Sequence, residues 1–453
     1  MKHLRPPLLG FALVALLPWF AAPPTALAAT TYEVGPGKTY AKLSDVADSL
    51  KPGDTVLVAS NGTSAYLDAV VFREPGSASA PITIRGVRNT SGQRPILSSG
   101  GATTVEFNAD HYVFEGFEAT GNGGNGKVLY HHADAITIRD TLVRDCPNHG
   151  ILGADEDSGS LTLDRVEVRN CGNGEQKHSI YIATDKPSAI FRMQFSYVHS
   201  AKGGNAVKSR AQRNEIYYNW LEDSRYHELE LLGPDDGTGG AKDAPRRDAD
   251  VVGNVFVKRQ GRNSNGDSLL RIGGDGTGQT WGRYRFVNNT FVTGTRIPVI
   301  WAFTGIESVE FHNNVFVNVG GGGLPILNAQ EADWRDGRVV TGSKNWVQRG
   351  SDIPAEFTGT VLGDTPGFVN LSAFDLRPSS AASPLVDVGA NTPASPAGHE
   401  FPNPLALPLQ HPPQARIDVA TLRPVNGPID IGAYEFGVAA KLDPRAYLPL
   451  ARR

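Results

Sequence analysis

A short pattern that recurs along the middle of the chain constrains the fold more than any other feature. It reads apolar-x-x-(Asn, small or apolar)-x-apolar, and its instances begin at Phe114, Ile138, Leu163, Met193, Ile216, Val251, Phe286 and Phe311. Successive starts are separated by 24, 25, 30, 23, 35, 35 and 25 residues. A unit of about 24 residues is shorter than a βαβ unit, which needs about 30 or more. The repeat therefore predicts an all-β parallel solenoid in which one unit forms one coil, or rung.

A second strand follows the pattern by about 14 residues in most rungs. It is seen in the runs KVLY, GILG, HSIYIA, NAVKSR, HELELL, SLLRIG and PVIWAF. Successive residues of a strand point to opposite faces, so an inward apolar residue is followed by an outward one. The inward set would be Ile151, Ile180, Val207, Leu229 and Leu270. The predicted outward column then contains Tyr181, Lys208, Glu230 and Arg271.

Polar residues also recur at fixed phases of the repeat. The fourth pattern position is Asn in four instances, at Asn219, Asn254, Asn289 and Asn314. Stacked asparagines could bond to one another as an amide ladder. Alternatively, Asn only suits a turn that tolerates left-handed backbone, but recurrence at one phase favours the ladder. A second polar ladder is predicted two residues before the inward position, at His149, His178, Asn205 and His227, either as satisfied turn residues or as catalysts.

The two cysteines share a phase as well. Cys146 and Cys171 are 25 residues apart, which matches the rung spacing. Adjacent parallel strands lie about 4.8 Å apart and a disulfide needs Cα atoms about 5.5 Å apart, so a bridge between rungs is feasible. Two buried free thiols are the alternative.

The ends of the chain are predicted to differ from its middle. Residues 1–28 read as a signal peptide, with Lys2 and Arg5, an apolar run and the cleavage motif at residues 26–28. Residues 29–436 are predicted to form the solenoid with an N-terminal cap and, from about 380 to 436, a C-terminal wrapping segment. The run IDIGAYEF in that segment looks strand-like, and residues 437–453 are predicted to be a flexible tail.

Export and charge limit the partners. We expect a secreted or periplasmic protein that is a monomer. A membrane span is not expected, because no stretch after the signal peptide approaches about 20 apolar residues. Without the signal peptide, 41 basic and 47 acidic residues leave a net charge of −6. That balance argues against a nucleic-acid partner, which would require a basic surface.

These features resemble the secreted right-handed parallel β-helix proteins, the superfamily that includes pectate lyases, alginate lyases and chondroitinase B-like lyases. The resemblance covers about residues 30–436 and is strongest in GNAVKSRAQRNEIYYNWLED, DVVGNVF, VNNTFV, SPLVDVG and DIGAYE. It implies a right-handed parallel β-helix, and the mixed Lys, Arg, His, Tyr and Glu side chains on one face of it predict a secreted enzyme that cleaves an acidic polysaccharide by β-elimination.

The segment around Lys208 is similar to the lysine-containing segment of alginate-lyase and chondroitinase-B-type enzymes, whose lysine is the base. Those enzymes carry an arginine in an LRHG-like run on the following rung, where this chain has HELELLG. Their acidic calcium ligands precede the lysine, whereas Glu228 and Glu230 follow it here.

β-Elimination from a uronic-acid polymer requires a group that neutralises the carboxylate, a base and an acid. Lys208 is the candidate base, if burial and neighbouring arginines favour its neutral amine. Arg210 or Arg271 could pair with the carboxylate, and Tyr181 or His178 could be the acid. The predicted substrate-binding residues are His227, Trp220 and Trp301, of which Trp220 could instead pack under a loop.

Calcium is a further candidate neutraliser, because Glu228, Glu230 and Asp235 offer oxygen ligands around the loop LLGPDDGTGG. Such acidic glycine loops are also common solvent-facing turns.

Other functions remain open. Lys208 and Glu230 could form only a surface ion pair. A glycoside hydrolase could use two carboxylates from Glu228, Glu230, Asp235 and Asp236. A C5-epimerase would share the proton-abstracting groups, and a non-catalytic polysaccharide-binding protein would need no chemistry at all.

Overall fold

The computed structural model shows a right-handed parallel β-helix built from three sheets that the chain visits in a fixed cycle. It describes residues 28–437 except 122, 155–157, 185, 187, 235–245, 260–267, 277–279, 414–420 and 425–426. The predicted signal peptide up to residue 27, the predicted tail beyond residue 437, and Asp235 and Asp236 lie outside the described residues.

Sheet 1 contains 13 strands, all parallel. They are β1 (Thr31–Val34), β2 (Thr55–Ala59), β5 (Ile82–Val87), β8 (Tyr112–Glu115), β11 (Ile136–Arg139), β14 (Leu161–Asp164), β17 (Ile190–Gln194), β20 (Arg213–Tyr217), β23 (Arg247–Val252), β26 (Gly282–Val287), β29 (Ile306–His312), β32 (Val340–Ser343) and β34 (Phe357–Thr358).

Sheet 2 contains 12 parallel strands. They are β3 (Ala65–Leu67), β6 (Ile96–Ser98), β9 (Glu118–Thr120), β12 (Leu142–Cys146), β15 (Glu167–Cys171), β18 (Tyr197–His199), β21 (Trp220–Glu222), β24 (Val255–Lys258), β27 (Thr290–Thr293), β30 (Val315–Asn318), β33 (Trp346–Gln348) and β35 (Val361–Gly363).

Sheet 3 contains 10 parallel strands and carries the candidate site. They are β4 (Val70–Phe72), β7 (Val105–Phe107), β10 (Leu129–His131), β13 (Ile151–Ala154), β16 (Ile180–Ala183), β19 (Val207–Ser209), β22 (Leu229–Leu232), β25 (Leu270–Gly273), β28 (Ile300–Ala302) and β31 (Leu327–Asn328).

The remaining described elements are short. Two antiparallel pairs join β36 (Phe368–Asn370) to β37 (Asp375–Pro378) and β38 (Gln410–His411) to β39 (Thr421–Leu422). Three short 3-10 helices cover Leu43–Asp45, Ala47–Ser49 and Glu331–Asp333.

The strand register confirms the repeat. Each pattern start pairs with the next one along sheet 1, from Phe114 with Ile138 through to Phe286 with Phe311. The six-residue pattern spans the end of a sheet 1 strand, a corner and the start of a sheet 2 strand. The runs that follow the pattern are the strands of sheet 3, and their predicted inward residues are all fully buried.

The predicted asparagine ladder is confirmed and includes a fifth member, Asn345. Each side-chain amide from Asn219 to Asn314 donates to the side-chain oxygen of the next asparagine at 3.0 to 3.1 Å, and so does each backbone N–H at 2.8 to 3.0 Å. The left-handed backbone belongs to the residue before each ladder asparagine, as in Asn288, which precedes Asn289 and has φ 53°. The asparagines therefore satisfy buried groups at the corner, and their neighbours make the turn.

Inside the coil, like residues stack on like residues. Phe256, Phe291 and Phe316 stack at centroid separations of 5.4 and 5.1 Å, and Phe286 stacks on Phe311 at 5.4 Å. Aromatic and branched side chains suit strands whose inner face is fully buried. Cys146 and Cys171 pair in register on β12 and β15 and form a disulfide, so the free-thiol alternative is wrong.

The C-terminal segment packs on the outside of sheets 1 and 2. Leu385 and Ile431 join Trp220 and Trp346 in an apolar cluster on sheet 2. On sheet 1, Phe401 lies over the guanidinium groups of Arg283 and Arg285. The run IDIGAYEF is not a strand, which corrects the prediction. Its Gly432 N–H instead donates to the carbonyl oxygen of Asn313 at 2.7 Å, and a Cβ at Gly432 would lie 2.9 Å from Thr290 and Val315.

The ladder predicts a large local cost for removing one asparagine. Asn254→Ala would leave the buried backbone N–H of Asn219 without its acceptor, which we expect to lower the free energy of unfolding by about 2 to 4 kcal/mol. Asn61→Ala, at an exposed loop position, should change it by less than about 0.5 kcal/mol. Urea unfolding followed by circular dichroism measures both variants, and equal midpoints would contradict a supporting role for the ladder.

Candidate functional site

A cavity of about 630 Å³ opens on the outer face of sheet 3. It brings together all five residues predicted to be catalytic, together with Glu230 and His227. The five are His178, Tyr181, Lys208, Arg210 and Arg271. The remaining lining residues are His149, Glu175, Gln176, Lys177, Asn205, Tyr226 and Asp275.

The predicted outward column is confirmed by the strand register. Tyr181 of β16 pairs with Lys208 of β19, Lys208 with Glu230 of β22, and Glu230 with Arg271 of β25. The inward partners in these strands, such as Val207 and Leu229, are fully buried. Because successive residues of a strand point to opposite faces, burial of Val207 and Leu229 inside the β-helix makes Lys208 and Glu230 face the cavity.

Lys208 lies between two carboxylates. Its Nζ is 3.7 Å from Glu230 Oε2 and 3.6 Å from Asp275 Oδ2, and its side chain is only 15% exposed. The ring of Tyr181 lies on the same side, with its centroid 5.4 Å from Nζ. The ion pair expected as an alternative therefore exists, but it lies in a largely enclosed site where solvent screens it less than at an open surface.

Arg210 is buried and holds the cavity wall in place. Its Nη1 donates to the carbonyl oxygen of Gly233 at 2.6 Å, its Nε donates to Tyr181 Oη at 3.2 Å, and its Nη2 donates to the carboxylate of Asp275. Its side chain is 3% exposed. These bonds assign Arg210 a positioning role for Tyr181 and Asp275, and leave Arg271 as the better candidate for pairing with a substrate carboxylate.

Arg271 is more accessible than Arg210. Its Nη1 donates to Glu230 Oε1 at 3.0 Å, and its guanidinium lies 4.0 Å from the ring centroid of Phe303. The other oxygen of Glu230 accepts a hydrogen bond from Asn205 Nδ2 at 2.6 Å. Glu230 is thus the central acceptor of the site.

The second polar ladder is also present. His149 Nδ1 accepts the backbone N–H of His178 at 3.0 Å, His178 Nδ1 accepts that of Asn205 at 2.9 Å, and Asn205 Oδ1 accepts that of His227 at 2.9 Å. Because Nδ1 is an acceptor, a neutral ring at His149 or His178 carries its proton on Nε2. These residues satisfy the turn and line the cavity at once.

Burial keeps the histidines of this region neutral. It lowers the pKa of His149 and of His227 to about 4, and it lowers that of His178 well below its usual value, with the charge of Lys208 adding to the effect. A neutral imidazole is a much weaker acid than an imidazolium. His178 is therefore better suited to donate a hydrogen bond than a proton, and Tyr181 is the stronger candidate acid.

Five cavity residues were not predicted from the sequence, namely Glu175, Gln176, Lys177, Tyr226 and Asp275. Asp275 follows Arg271 by four residues in a glycine-rich loop, and it contacts both Lys208 and Arg210. An acid in the loop after a strand of the outward column is a signal that could have been followed. Tyr226 lies in a turn before His227, and no repeat position marks it.

Two predicted site residues lie elsewhere. Trp220 faces outward, but from sheet 2, where the C-terminal segment covers it and its Nε1 donates to Glu222 at 2.8 Å. Glu228 is fully buried and pairs with Lys258 at 3.0 Å, away from the cavity. The packing of Trp220 beneath another chain segment is the alternative expected for it, whereas the pairing of Glu228 with Lys258 removes Glu228 from the set of cavity carboxylates. Trp301 continues the column beside Arg271 and does not line the cavity.

The described part of the predicted calcium site does not fit a metal ion. Glu228 is engaged by Lys258, and both oxygens of Glu230 already bind donor groups. A cation beside Glu230 would also meet the charges of Lys208 and Arg271. Among the described residues, no group of three or more His, Cys, Asp or Glu side chains is arranged to hold a metal.

In the part of the chain that the structure describes, no helix is both long and apolar enough to cross a bilayer.

The histidine ladder predicts a measurable pH dependence of stability. Unfolded His149 gains a proton below about pH 6.5, whereas the folded form stays neutral to about pH 4. Stability should therefore fall as the pH drops through this window, by up to about 1.4 kcal/mol per pH unit for this residue. His149→Asn keeps an acceptor, as Asn205 does in the same ladder, and should lose less stability on acidification.

The test compares urea midpoints at pH 7 and pH 5. His111→Asn, at a partly exposed site outside the ladder, serves as the control. If His149→Asn shows the same acid-dependent loss as the unaltered protein, the buried neutral state of His149 is not its source.

Comparison with solved structures finds other proteins of similar architecture. The pectate lyase Pel9A is 14% identical with a TM-score of 0.49, covering 90% of this chain and 97% of that one. An alginate lyase from Paenibacillus sp. str. FPU-7 is 20% identical with a TM-score of 0.39, covering 69% and 97%. XylC in complex with xylose is 10% identical with a TM-score of 0.48, covering 74% and 86%.

No protein-family model matches the sequence, and no curated protein does so either. The similarities to solved structures carry no argument about activity, and the strand pairing itself establishes the architecture. The chain is a right-handed parallel β-helix similar to pectate and alginate lyases.

Proposed function

We propose that this protein is a secreted enzyme that cleaves an acidic, uronic-acid-containing polysaccharide by β-elimination in the cavity of sheet 3. The observation that carries the proposal is the column Tyr181, Lys208, Glu230 and Arg271 on four consecutive rungs. It offers an acid, a base, a proton store and a carboxylate partner within three strand spacings, about 14 Å. That length accommodates two or three sugar units.

Arg271 is the proposed partner of the substrate carboxylate. Its planar guanidinium suits bidentate pairing, and its stacking on Phe303 fixes the plane. Neutralising the carboxylate stabilises the negative charge that develops when the neighbouring carbon loses its proton. Glu230 holds Arg271 in the column until substrate competes for it.

Lys208 is the proposed base, and Glu230 or Asp275 takes its proton first. Substrate that fills the cavity expels water, and this disfavours both charged forms of an ion pair. Transfer of one proton from the ammonium to a carboxylate removes both charges and leaves a free amine. The amine then abstracts the proton next to the uronate carboxylate, and the released electron pair forms the carbon–carbon double bond.

Tyr181 is the proposed acid. Its Oη accepts the Nε–H of Arg210, which holds the hydroxyl on the cavity wall beside Lys208. Protonation of the glycosidic oxygen by Tyr181 completes the elimination as the bond to that oxygen breaks. The products are a shortened chain and an unsaturated uronate.

Glycoside hydrolysis is a second candidate function that one observation favours. Glu230 and Asp275 both lie within 3.7 Å of Lys208 Nζ, so their carboxylate oxygens are no more than about 7 Å apart. This upper limit admits the spacing of about 5 to 5.5 Å between the two carboxylates of retaining glycoside hydrolases. Asp275 thus replaces Glu228 as the second carboxylate of this alternative.

Ultraviolet absorbance of the unsaturated uronate tests the elimination directly. We expect it to rise when the protein is incubated with polygalacturonate or alginate, and Tyr181→Phe should lower the rate at least about 100-fold without changing the fold. New reducing ends without this absorbance would show that the reaction is hydrolysis and not elimination. Turnover that is unchanged by chelator would agree with the misfit of the calcium ligands.

Substitutions of Lys208 separate a base from a simple cation. Lys208→Ala should lower kcat at least about 100-fold. Lys208→Arg keeps the positive charge, but a guanidinium is not deprotonated in proteins, so this variant should be equally inactive. Lys51→Ala, at an exposed position outside the cavity, is the control. Substantial activity in Lys208→Arg would show that Lys208 acts through its charge and not as the base.

A further inference from the structure

A group of cationic and neutral donors lies beside the cavity, on the N-terminal side of Lys208. Lys127, His149 and His178 occupy the same phase on three consecutive rungs, two residues before the paired inward positions Leu129, Ile151 and Ile180. Lys177 immediately precedes His178 and lines the cavity with His149. We call Lys127, His149 and Lys177 the positive rim.

The chemistry of the positive rim suits an anion. His149 uses Nδ1 as an acceptor within the ladder, so its neutral ring presents Nε2–H as a donor. Lys127 and Lys177 flank it from the rung before and the rung after, and their charges add to burial in lowering its pKa. Lys127 Nζ lies 4.6 Å from the ring centroid of Tyr130, which places it on the outer face of sheet 3.

The carboxylates of this region have other partners. Glu175 hydrogen-bonds Tyr226, and Glu106 lies 3.9 Å from His132. The cations of the proposed cleavage centre differ from the lysines of the positive rim, because Lys208 and Arg271 already pair with Glu230. Among the described residues, Lys177 makes no side-chain hydrogen bond or ion pair, and it is exposed. A negative ligand would therefore compensate the charge of the positive rim.

We propose that the positive rim is a second carboxylate-binding subsite, which selects polymers that carry uronates on successive sugar units. The rung of His149 lies two strand spacings from that of Lys208, about 10 Å, which is enough for two sugar units. A polymer with isolated uronates could satisfy the cleavage centre but not the positive rim. This inference rests on the proposed function, because it assumes that the chain runs along sheet 3.

Equilibrium binding tests the subsite separately from turnover. Isothermal titration with hexagalacturonate is performed on the Lys208→Ala background, so that cleavage does not interfere. Adding Lys127→Ala and Lys177→Ala should weaken binding about tenfold and reduce its dependence on salt, because two charge contacts are lost. Lys127→Arg with Lys177→Arg should restore the affinity, and Lys51→Ala should not change it.

Fully methyl-esterified hexagalacturonate, which has no charge, is the matched ligand control. The alanine variants should bind it as well as their parent does. Equal affinity of parent and variants for hexagalacturonate, equal losses for the charged and the esterified ligand, or no binding of hexagalacturonate by the parent would each overturn the inference. If the wild-type protein gives no unsaturated product but the alanine variants still lose affinity, the elimination fails and the subsite stands.

Discussion

The in-register stacking of parallel rungs is the constraint on which the rest of this structure depends. Once neighbouring strands pair without a shift, a residue at one phase lies about 4.8 Å from the residue at the same phase on the next rung. A side chain at a given phase must therefore pack or bond favourably with the side chains at the same phase on the rungs above and below. Inside the coil this condition is met by phenylalanine stacks, at one corner by the amide ladder from Asn219 to Asn345, and at another by the disulfide of Cys146 and Cys171.

The same constraint organises the charges of the candidate site. Like charges at successive rungs would repel each other at about 4.8 Å, so the column alternates instead: Lys208, Glu230 and Arg271 follow one another. Asp275 enters from a loop and closes the network around Lys208 and Arg210. In-register stacking thus brings Lys208, Glu230 and Arg271 together while each stays in a regular strand, and Asp275 completes the network from a loop.

The C-terminal segment decides which face remains available. Its contacts described above fall on sheets 1 and 2, through Phe401 on the arginines of sheet 1 and through Leu385 and Ile431 on sheet 2. The cavity lies on sheet 3. Two outward tryptophan positions illustrate the difference: Trp220 on sheet 2 is 3% exposed beneath this segment, whereas Trp301 on sheet 3 is partly exposed.

The sequence by itself determined the period, the register and the column that contains Lys208, because those follow from apolar residues that recur at one phase and from strand alternation. It also located both polar ladders, since stacked amides and imidazoles must recur to bond. Only the tertiary structure decided the covering of Trp220, the burial of Glu228 against Lys258 and the entry of Asp275. These depend on loops and on a distant segment that do not repeat, and a periodic pattern holds no information about where a non-repeating chain segment will pack.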